Sequence, residues 1–172
     1  MKIILYRKTV KRWFRRNPSG NISRMTVRIV TQPIDAAAEQ AELARLKNAG
    51  ALVTFSGICR GEEDGAQIAA LFLEHYPGMA EAEIERHVAE AKSRWPILGV
   101  RVVHRTGRIE PGETIVFVAT VSEHRQAAFE AAEFLMDYLK TRAPFWKKVE
   151  SKSAGHWVEA QDKDNAAAVR WI

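Results

Sequence analysis

The segment from Thr114 to Arg142 constrains the fold more than any other part of the chain. Residues 114–122 are the most apolar of the strand-like stretches and predict a β-strand. Residues 123–142 carry apolar side chains at helical spacing and predict one long amphipathic helix. Pro144 forbids its continuation, because the proline ring removes a backbone donor and clashes with the preceding turn. An apolar strand therefore leads directly into a long helix with one apolar face.

The remaining residues alternate short strand patterns with helical ones. Strands are predicted over residues 27–31, 51–60, 68–76, 100–105, 145–150 and 156–159, and helices over residues 36–47, 80–95 and, as a terminal turn or two, 162–169. Asp35 is the expected N-cap of the first helix. Residues 51–60 and 68–76 are expected to form a hairpin around residues 61–65, a polar, glycine-bracketed loop expected to be mobile. The short links favour an α+β fold, with a mixed, mainly antiparallel sheet and flanking helices.

Composition is typical of a globular protein with one core. The chain has 172 residues, of which 47% are apolar and 27% are charged. No stretch approaches the roughly 18 uninterrupted apolar residues of a membrane helix, so none is expected. Cys59 is the only cysteine, which excludes an internal disulfide and a multi-thiolate metal site. A lone thiol is compatible with the cytoplasm, which is the expected location.

Residues 1–24 differ in charge from the rest of the chain. They contain eight basic residues and no acidic one, whereas the rest holds 18 basic and 21 acidic residues. We predict a basic, disordered extension over residues 1–24, from an upstream start codon, and a single domain over residues 25–172. Two other interpretations stay open: the extension is a nucleic-acid or membrane-surface arm, or it is a targeting segment.

A chain that begins at Met25 is expected to keep the melting temperature and the activity of the full chain. The reason is that a segment with eight basic and no acidic side chains repels itself and contributes little to a packed core. Thermal unfolding and an activity assay compare the two chains. A lower value of either in the shortened chain would show that the extension packs on the domain or takes part in its function.

The common catalytic motifs are absent from the sequence. It contains no phosphate-binding glycine motif, no zinc-protease motif and no nucleophile elbow, and its five histidines do not fall at metal-ligand spacing. Basic residues cluster instead around the end of the long helix, at Lys140, Arg142, Lys147 and Lys148, interleaved with Phe145 and Trp146. Cations in a last helical turn also complement the helix dipole, so a purely structural role is the alternative.

Lys140 and Lys147 are the strongest catalytic candidates in that cluster. Lys140 follows Tyr138, a residue of the apolar stripe, by two positions, and we therefore expect it at the border of the core. A turn at Pro144 can bring Lys147 back towards Lys140. Two ammonium groups held close destabilise each other's charged form, which suits a lysine for proton transfer or nucleophilic attack.

A second basic group is expected at the other end of the long helix. His124 and Arg125 lie at its first turn, and Arg60 ends the strand predicted before the glycine-bracketed loop. Free N–H groups at a helix N-terminus attract anions, and cationic side chains strengthen that attraction. The alternative is an ordinary helix cap with exposed side chains.

Six short segments of the chain form a pattern that is defined by their sequences, their order and their spacing. They are residues 50–57 (GALVTFSG), 73–79 (LEHYPGM), 94–96 (RWP), 104–107 (HRTG), 137–148 (DYLKTRAPFWKK) and 156–160 (HWVEA). Together they resemble the catalytic (large) subunit family of molybdopterin synthases over residues 26–172, with residues 140–148 the most specific part. The resemblance implies an α/β hammerhead fold and a homodimer. It also implies a partner at each end of the dimer, a small ubiquitin-like sulfur-carrier subunit whose C-terminal Gly-Gly carries a thiocarboxylate.

The reaction implied by the resemblance is sulfur transfer to a pterin. The substrate is cyclic pyranopterin monophosphate and the product is the dithiolene molybdopterin. Each small subunit delivers one sulfur, and no metal or organic cofactor takes part. The implied catalytic residues are Lys140 and Lys147, and the implied substrate-binding residues are Ile58, Cys59, Arg60, His124, Arg125, Lys140, Lys147, Lys148 and Val149. The chain departs from the family pattern at Ile58 and Cys59, and at Gln161, where relatives often carry arginine.

Three alternatives remain at this point. Cys59 is either a sulfur relay or a small, half-buried strand residue. The whole chain is either an enzyme or a non-catalytic scaffold that binds a ubiquitin-like protein. It is also open to interpretation as a nucleic-acid-binding protein that uses residues 1–24 and the basic–aromatic segment around Trp146, although the net negative charge of residues 25–172 argues against this.

Overall fold

The computed structural model describes residues 25–63, 65–151, 155–158 and 169–171. In chain order its elements are β1 (Met25–Val30), α1 (Ala36–Leu43), β2 (Ala51–Ile58), β3 (Glu62–Glu63), β4 (Ala66–His75), α2 (Met79–Arg94), β5 (Ile97–Arg105), β6 (Gly107–Ile109), β7 (Thr114–Ser122), α3 (Arg125–Thr141), β8 (Phe145–Ser151) and β9 (Gly155–Val158). The predicted extension over residues 1–24, Gln161 and all of the predicted terminal turn except Val169 lie outside the described residues.

The larger part of the core surrounds a four-stranded sheet with the order β1-β5-β7-β2. β1 pairs with β5 in parallel, whereas β5 with β7 and β7 with β2 are antiparallel. Helices α2 and α3 contact this sheet and each other. The predicted α+β class, with a mixed and mainly antiparallel sheet and flanking helices, is confirmed.

The central strand β7 is apolar throughout because both of its faces are covered. Val116 and Val118 pack in one cluster with side chains of α2 and α3. Phe117 and Ala119, which alternate with them along the strand, pack in a second cluster that includes Leu43 of α1. The predicted bounds of this strand are confirmed, since an uninterrupted apolar run is what a strand buried on both faces requires.

Helix α3 follows β7 and packs back onto the sheet. Its buried stripe includes Ala128, Leu135 and Tyr138, and Thr120 of β7 donates a hydrogen bond of 2.6 Å to the carbonyl oxygen of Ala128. The helix begins two residues later and ends one residue earlier than predicted. It contains no break between Arg125 and Thr141, which matters for the site described below.

Helix α1 begins as predicted and ends earlier. The backbone N–H of Ala38 donates to the Asp35 carboxylate over 3.0 Å, which confirms Asp35 as the N-cap. The predicted helix over residues 36–47 stops at Leu43, and the chain continues in turns through Asn48, which has a positive φ of 64°. Leu43 and Leu46 are still buried, so the apolar spacing that predicted a longer helix reflects packing of the turn.

The predicted hairpin between residues 51–60 and 68–76 is wrong, because the two strands belong to different sheets. All of β2 pairs with β7. β4 instead pairs with β3, β6 and β8 in a second sheet that β9 completes. The chain leaves the first sheet at Cys59, whose backbone N–H donates to Glu113 and whose carbonyl oxygen accepts from Gly112. Within the loop that was expected to be mobile, Glu62 and Glu63 form the short strand β3.

Of the helices in the described part of the chain, none has both the length and the hydropathy needed to cross a membrane.

His104 connects the two sheets. It lies on β5, is buried, and stacks on Phe145 at the start of β8 with ring centroids 3.9 Å apart. Its Nδ1 lies 2.9 Å from the carbonyl oxygen of Arg105. Burial lowers the pKa of His104 to about 4; the hydrogen bond to the Arg105 carbonyl opposes this shift, and nearby His75 adds to it. The imidazole is therefore neutral at neutral pH.

Acid should destabilise the fold through His104. Because its folded-state pKa of about 4 lies below the usual value near 6.5, the unfolded chain binds the proton more readily. The free energy of unfolding should therefore fall as the pH decreases from about 6.5 to about 4, by up to about 3 kcal/mol from this group. Denaturant unfolding at several pH values measures the slope. In His104→Gln the loss of stability from this group should be missing, whereas His124→Gln, at an exposed position, should keep it. Equal slopes of the unfolding free energy against pH in the wild type and both variants would contradict the prediction.

Candidate active site

Two of the predicted site cations meet at one carboxylate. Arg60 donates from Nη2 to Glu63 Oε1 over 2.8 Å. The Nζ atom of Lys147 lies 3.3 Å from the same oxygen and 3.4 Å from Oε2. Arg60 and Lys147 are far apart in the sequence, yet their cationic groups lie within hydrogen-bonding reach of a single oxygen atom. The structure thus brings together two cations of the predicted pocket, one from the segment that follows β2 and one from β8.

Strand alternation explains why Lys147 faces this point. On β8, Lys147 pairs with Leu73 of β4, and Val149 pairs with Leu71. Side chains two residues apart lie on the same face of a sheet, so Lys147 extends from the face that carries Val149. That face packs in a small core that contains Cys59. The side chain of Lys147 is one-third exposed, and its ammonium group reaches the edge of this core beside Arg60.

Cys59 is buried in the small core that lies beside Lys147. Its side chain packs with Leu71, Ile109 and Val149, and only 4% of the residue is exposed. Desolvation raises the pKa of the thiol above its ordinary value, although the nearby ammonium group of Lys147 lowers it in part. A buried thiol with a raised pKa is a poor nucleophile. These observations favour the packing role over the sulfur relay.

Three other predicted site residues, on β2 and β8, lie in different environments. Val149 is 2% exposed, so its side chain belongs to the core and only its backbone can line a pocket. Lys148 alternates with Lys147 and therefore lies on the opposite face of the sheet, where it pairs with Phe72. Ile58, at the end of β2, is 54% exposed. None of these three residues has a hydrogen bond or ion pair to the Glu63 carboxylate among the described residues, whereas Lys147 has one.

His124 and Arg125 lie at the start of α3, as predicted, and both are exposed. His124 is the N-cap, and its backbone N–H donates to Ser122 Oγ over 3.0 Å. Gly50 at the start of β2 abuts this turn so closely that a Cβ atom there would lie 2.2 Å from the carbonyl oxygen of Glu123. The turn that presents His124 and Arg125 is therefore held tightly by the end of the sheet.

Lys140 lies at the other end of α3, and its predicted position at the core border is wrong. Its side chain is exposed, whereas Tyr138 is buried. A step of two residues along an α-helix turns the side chain by about 200°, which places Lys140 on the opposite side from Tyr138. Within the described residues no hydrogen bond or ion pair holds Lys140. Three residues separate the end of α3 from β8, where Lys147 follows.

Glu63 is the site residue that sequence reasoning missed. It lies in the segment interpreted as a mobile loop, and its ion pair with Lys147 joins residues 84 positions apart. The one local signal was its position three residues after Arg60, which is also the spacing of a trivial surface pair. In the described part of the chain, no group of three or more His, Cys, Asp or Glu side chains is arranged to hold a metal ion.

Comparison with known proteins identifies the family of the chain. A family model described as the MoaE protein matches residues 29–142. The chain belongs to the MoaE family. A molybdopterin synthase catalytic subunit of this family from Mesorhizobium japonicum is 60% identical over 149 residues, which span 85% of this chain and 92% of the relative.

Solved structures of MoaE proteins share the fold. The molybdopterin biosynthesis MoaE protein from Burkholderia ambifaria matches with a TM-score of 0.73 and 50% identity, covering 86% of this chain and 97% of that one. Molybdopterin synthase from Staphylococcus aureus matches with a TM-score of 0.71 and 30% identity, covering 76% and 95%. The family that the six sequence segments indicated is confirmed.

Proposed function

We propose that this chain is the catalytic subunit of a molybdopterin synthase and acts as a sulfurtransferase in the cytoplasm. It would take sulfur from the C-terminal thiocarboxylate of a small ubiquitin-like subunit and transfer it to cyclic pyranopterin monophosphate, to form the dithiolene of molybdopterin. The observation that carries this proposal is the convergence of Arg60, from the segment after β2, and Lys147, from β8, on one oxygen of Glu63. This convergence supports a single site that contains both of these cations.

Both reactants suit a cationic pocket. The pterin substrate carries a phosphate and the partner's tail carries a thiocarboxylate, so two anions have to approach each other. Arg60 can bind a phosphate through paired hydrogen bonds from its planar guanidinium group. Lys147 adds a charge that is partly shielded from water, where electrostatic attraction is stronger than in bulk solvent. These two residues would neutralise the repulsion that otherwise keeps the reactants apart.

Lys140 is assigned to the chemical step. The thiocarboxylate sulfur would attack a pterin carbon and displace an oxygen substituent there, which joins the two molecules through an acyl thioester. Water would then attack the thioester carbon and develop negative charge on its oxygen, and collapse of this intermediate breaks the bond between the acyl carbon and sulfur, leaving the sulfur on the pterin and a carboxylate on the partner. An ammonium group near that oxygen stabilises the charge, and it can also supply or accept a proton as sulfur leaves. The exposed position of Lys140 at the end of α3 leaves it free to approach a bound partner tail.

We further propose that each site is shared by two copies of the chain. His124 and Arg125 would bind the substrate in the pocket whose Lys140 belongs to the other copy. The unbroken helix α3 supports this, because it holds the two ends far apart within one chain.

The test is reconstitution of the reaction. The full chain, a partner subunit with a thiocarboxylated Gly-Gly terminus and the pterin precursor are combined, and the pterin is analysed by mass spectrometry. We expect a product that has gained two sulfurs. A stable complex with the partner but an unchanged pterin would favour the non-catalytic scaffold instead.

A further inference from the structure

Glu63 neutralises both cations of the proposed pocket. Among the residues that the structure describes, it is the only ion-pair partner of Arg60 and the only one of Lys147. Its own side chain is 16% exposed, whereas that of Arg60 is 68% exposed. The carboxylate is thus the most enclosed member of the three, and it occupies the point where the two positive charges meet.

An anion that binds both Arg60 and Lys147 needs the position that the Glu63 carboxylate occupies. A phosphate that binds Arg60 and Lys147 together would have to place its oxygens where the Glu63 carboxylate now lies. Two anions held side by side at this distance would repel each other, so the phosphate and the carboxylate cannot both occupy it at low cost. Binding is therefore an exchange of one anion for another.

We propose that Glu63 is an internal counter-ion, which occupies the anion-binding position between Arg60 and Lys147 and is displaced by the phosphate of the substrate. This inference rests on the proposed function, because it names the group that the substrate replaces. Such a counter-ion lowers the affinity of the pocket for anions, because each anion has to displace the carboxylate. The phosphate of a cyclic monophosphate is a diester with one negative charge, so it would replace the Glu63 carboxylate charge for charge beside Arg60 and Lys147.

The neighbouring residue Glu62 provides a matched control. In the β3–β4 pair, Glu62 lies opposite Gln67 and Glu63 lies opposite Ala66. Because adjacent side chains in a strand point to opposite faces, Glu62 is directed away from the pocket, and its carboxylate accepts a hydrogen bond of 3.4 Å from Gln67. Glu62→Gln and Glu63→Gln therefore remove the same charge from adjacent positions, but only the second releases Arg60 and Lys147.

Two measurements on the full chain test the proposal. The first is titration with inorganic phosphate, followed by amide chemical shifts. Because each partly exposed ion pair is weak, we expect Glu63→Gln to bind phosphate roughly three- to tenfold more tightly than the wild type. Glu62→Gln and Glu63→Asp should stay near the wild type. Arg60→Ala in the Glu63→Gln background should cancel the gain.

The second measurement is the kinetics with the pterin precursor and the thiocarboxylated partner. Glu63→Gln should lower KM by a similar factor and leave kcat within about twofold, a split that a purely structural role of Glu63 would not produce. Unchanged or weaker phosphate binding in Glu63→Gln would overturn the proposal, as would equal tightening in Glu62→Gln. Tighter phosphate binding without any turnover in the wild type would instead refute the proposed function and leave the role of Glu63 standing.

Discussion

Replacement of Lys140 by alanine is expected to lower the rate of sulfur transfer by well over tenfold, while binding of the partner subunit changes by no more than a few-fold. The ammonium group is proposed to contact the oxygen of the reacting carbonyl group only as negative charge develops on it. Loss of such a contact lowers kcat without weakening ground-state binding. Single-turnover kinetics and titration with the partner subunit measure the two quantities.

The Lys140→Ala substitution should remove the ammonium group without disturbing the fold. The side chain is exposed and holds no hydrogen bond or ion pair within the described residues, so the melting temperature should not change. Lys92→Ala, at an exposed position on α2, is the matched control and should keep full activity. Lys140→Arg keeps the charge but cannot readily release a proton, so it separates charge stabilisation from proton transfer. If Lys140→Ala kept more than about a tenth of the activity, a loss below about 1.4 kcal/mol, the catalytic assignment would be wrong.

Mixed dimers of two inactive variants are expected to recover activity. Arg125 and Lys140 are 15 residues apart on the continuous helix α3, which corresponds to about 22 Å at 1.5 Å per residue. A pterin monophosphate cannot span that distance. If both side chains act on one substrate, they must come from different copies, and a symmetric dimer then holds two equivalent sites.

Complementation tests this arrangement. Lys140→Ala and Arg125→Ala, each inactive alone, are mixed under conditions that allow subunit exchange. In each mixed dimer one pocket combines both substitutions and the other has none, so about half of the wild-type activity per mixed dimer should return. Exchange is verified independently with tagged copies. If exchange is complete and activity stays absent, His124 and Arg125 lie outside the pocket that contains Lys140.

The local elements of the fold were predictable from sequence, whereas the partition into two sheets was not. Strand β7 and helix α3 were found within two residues of their ends, because an uninterrupted apolar run and a helical stripe are local patterns. The pairing of β2 with β7 and of β4 with β8 depends on contacts between residues distant in the chain. The short segment between β2 and β4 favoured a hairpin, and only the chain's departure from the sheet at Cys59 excludes one.

The same distinction applies to the site. Residue types and the family pattern predicted Arg60 and Lys147 as site residues, and the structure brings these two side chains to one carboxylate. The position of Lys140 was misjudged because closeness to Tyr138 in sequence was taken for closeness in space on a helix. Glu63 was not predicted because its partner Lys147 is distant in the sequence, on a strand of the second sheet. No local sequence pattern indicates an ion pair of this kind.

Isotopic labelling of the sulfur tests most directly whether the chain transfers it from the partner subunit to the pterin. The partner subunit is prepared with a heavy sulfur isotope in its thiocarboxylate, and a single reaction with the full chain is analysed for both the pterin and the partner's C-terminus. We expect two labelled sulfurs in each product molecule and two partner tails converted to carboxylates, with the same result for Cys59→Ser. Unlabelled sulfur in the product, or a pterin that gains no sulfur while the complex forms, would contradict this prediction.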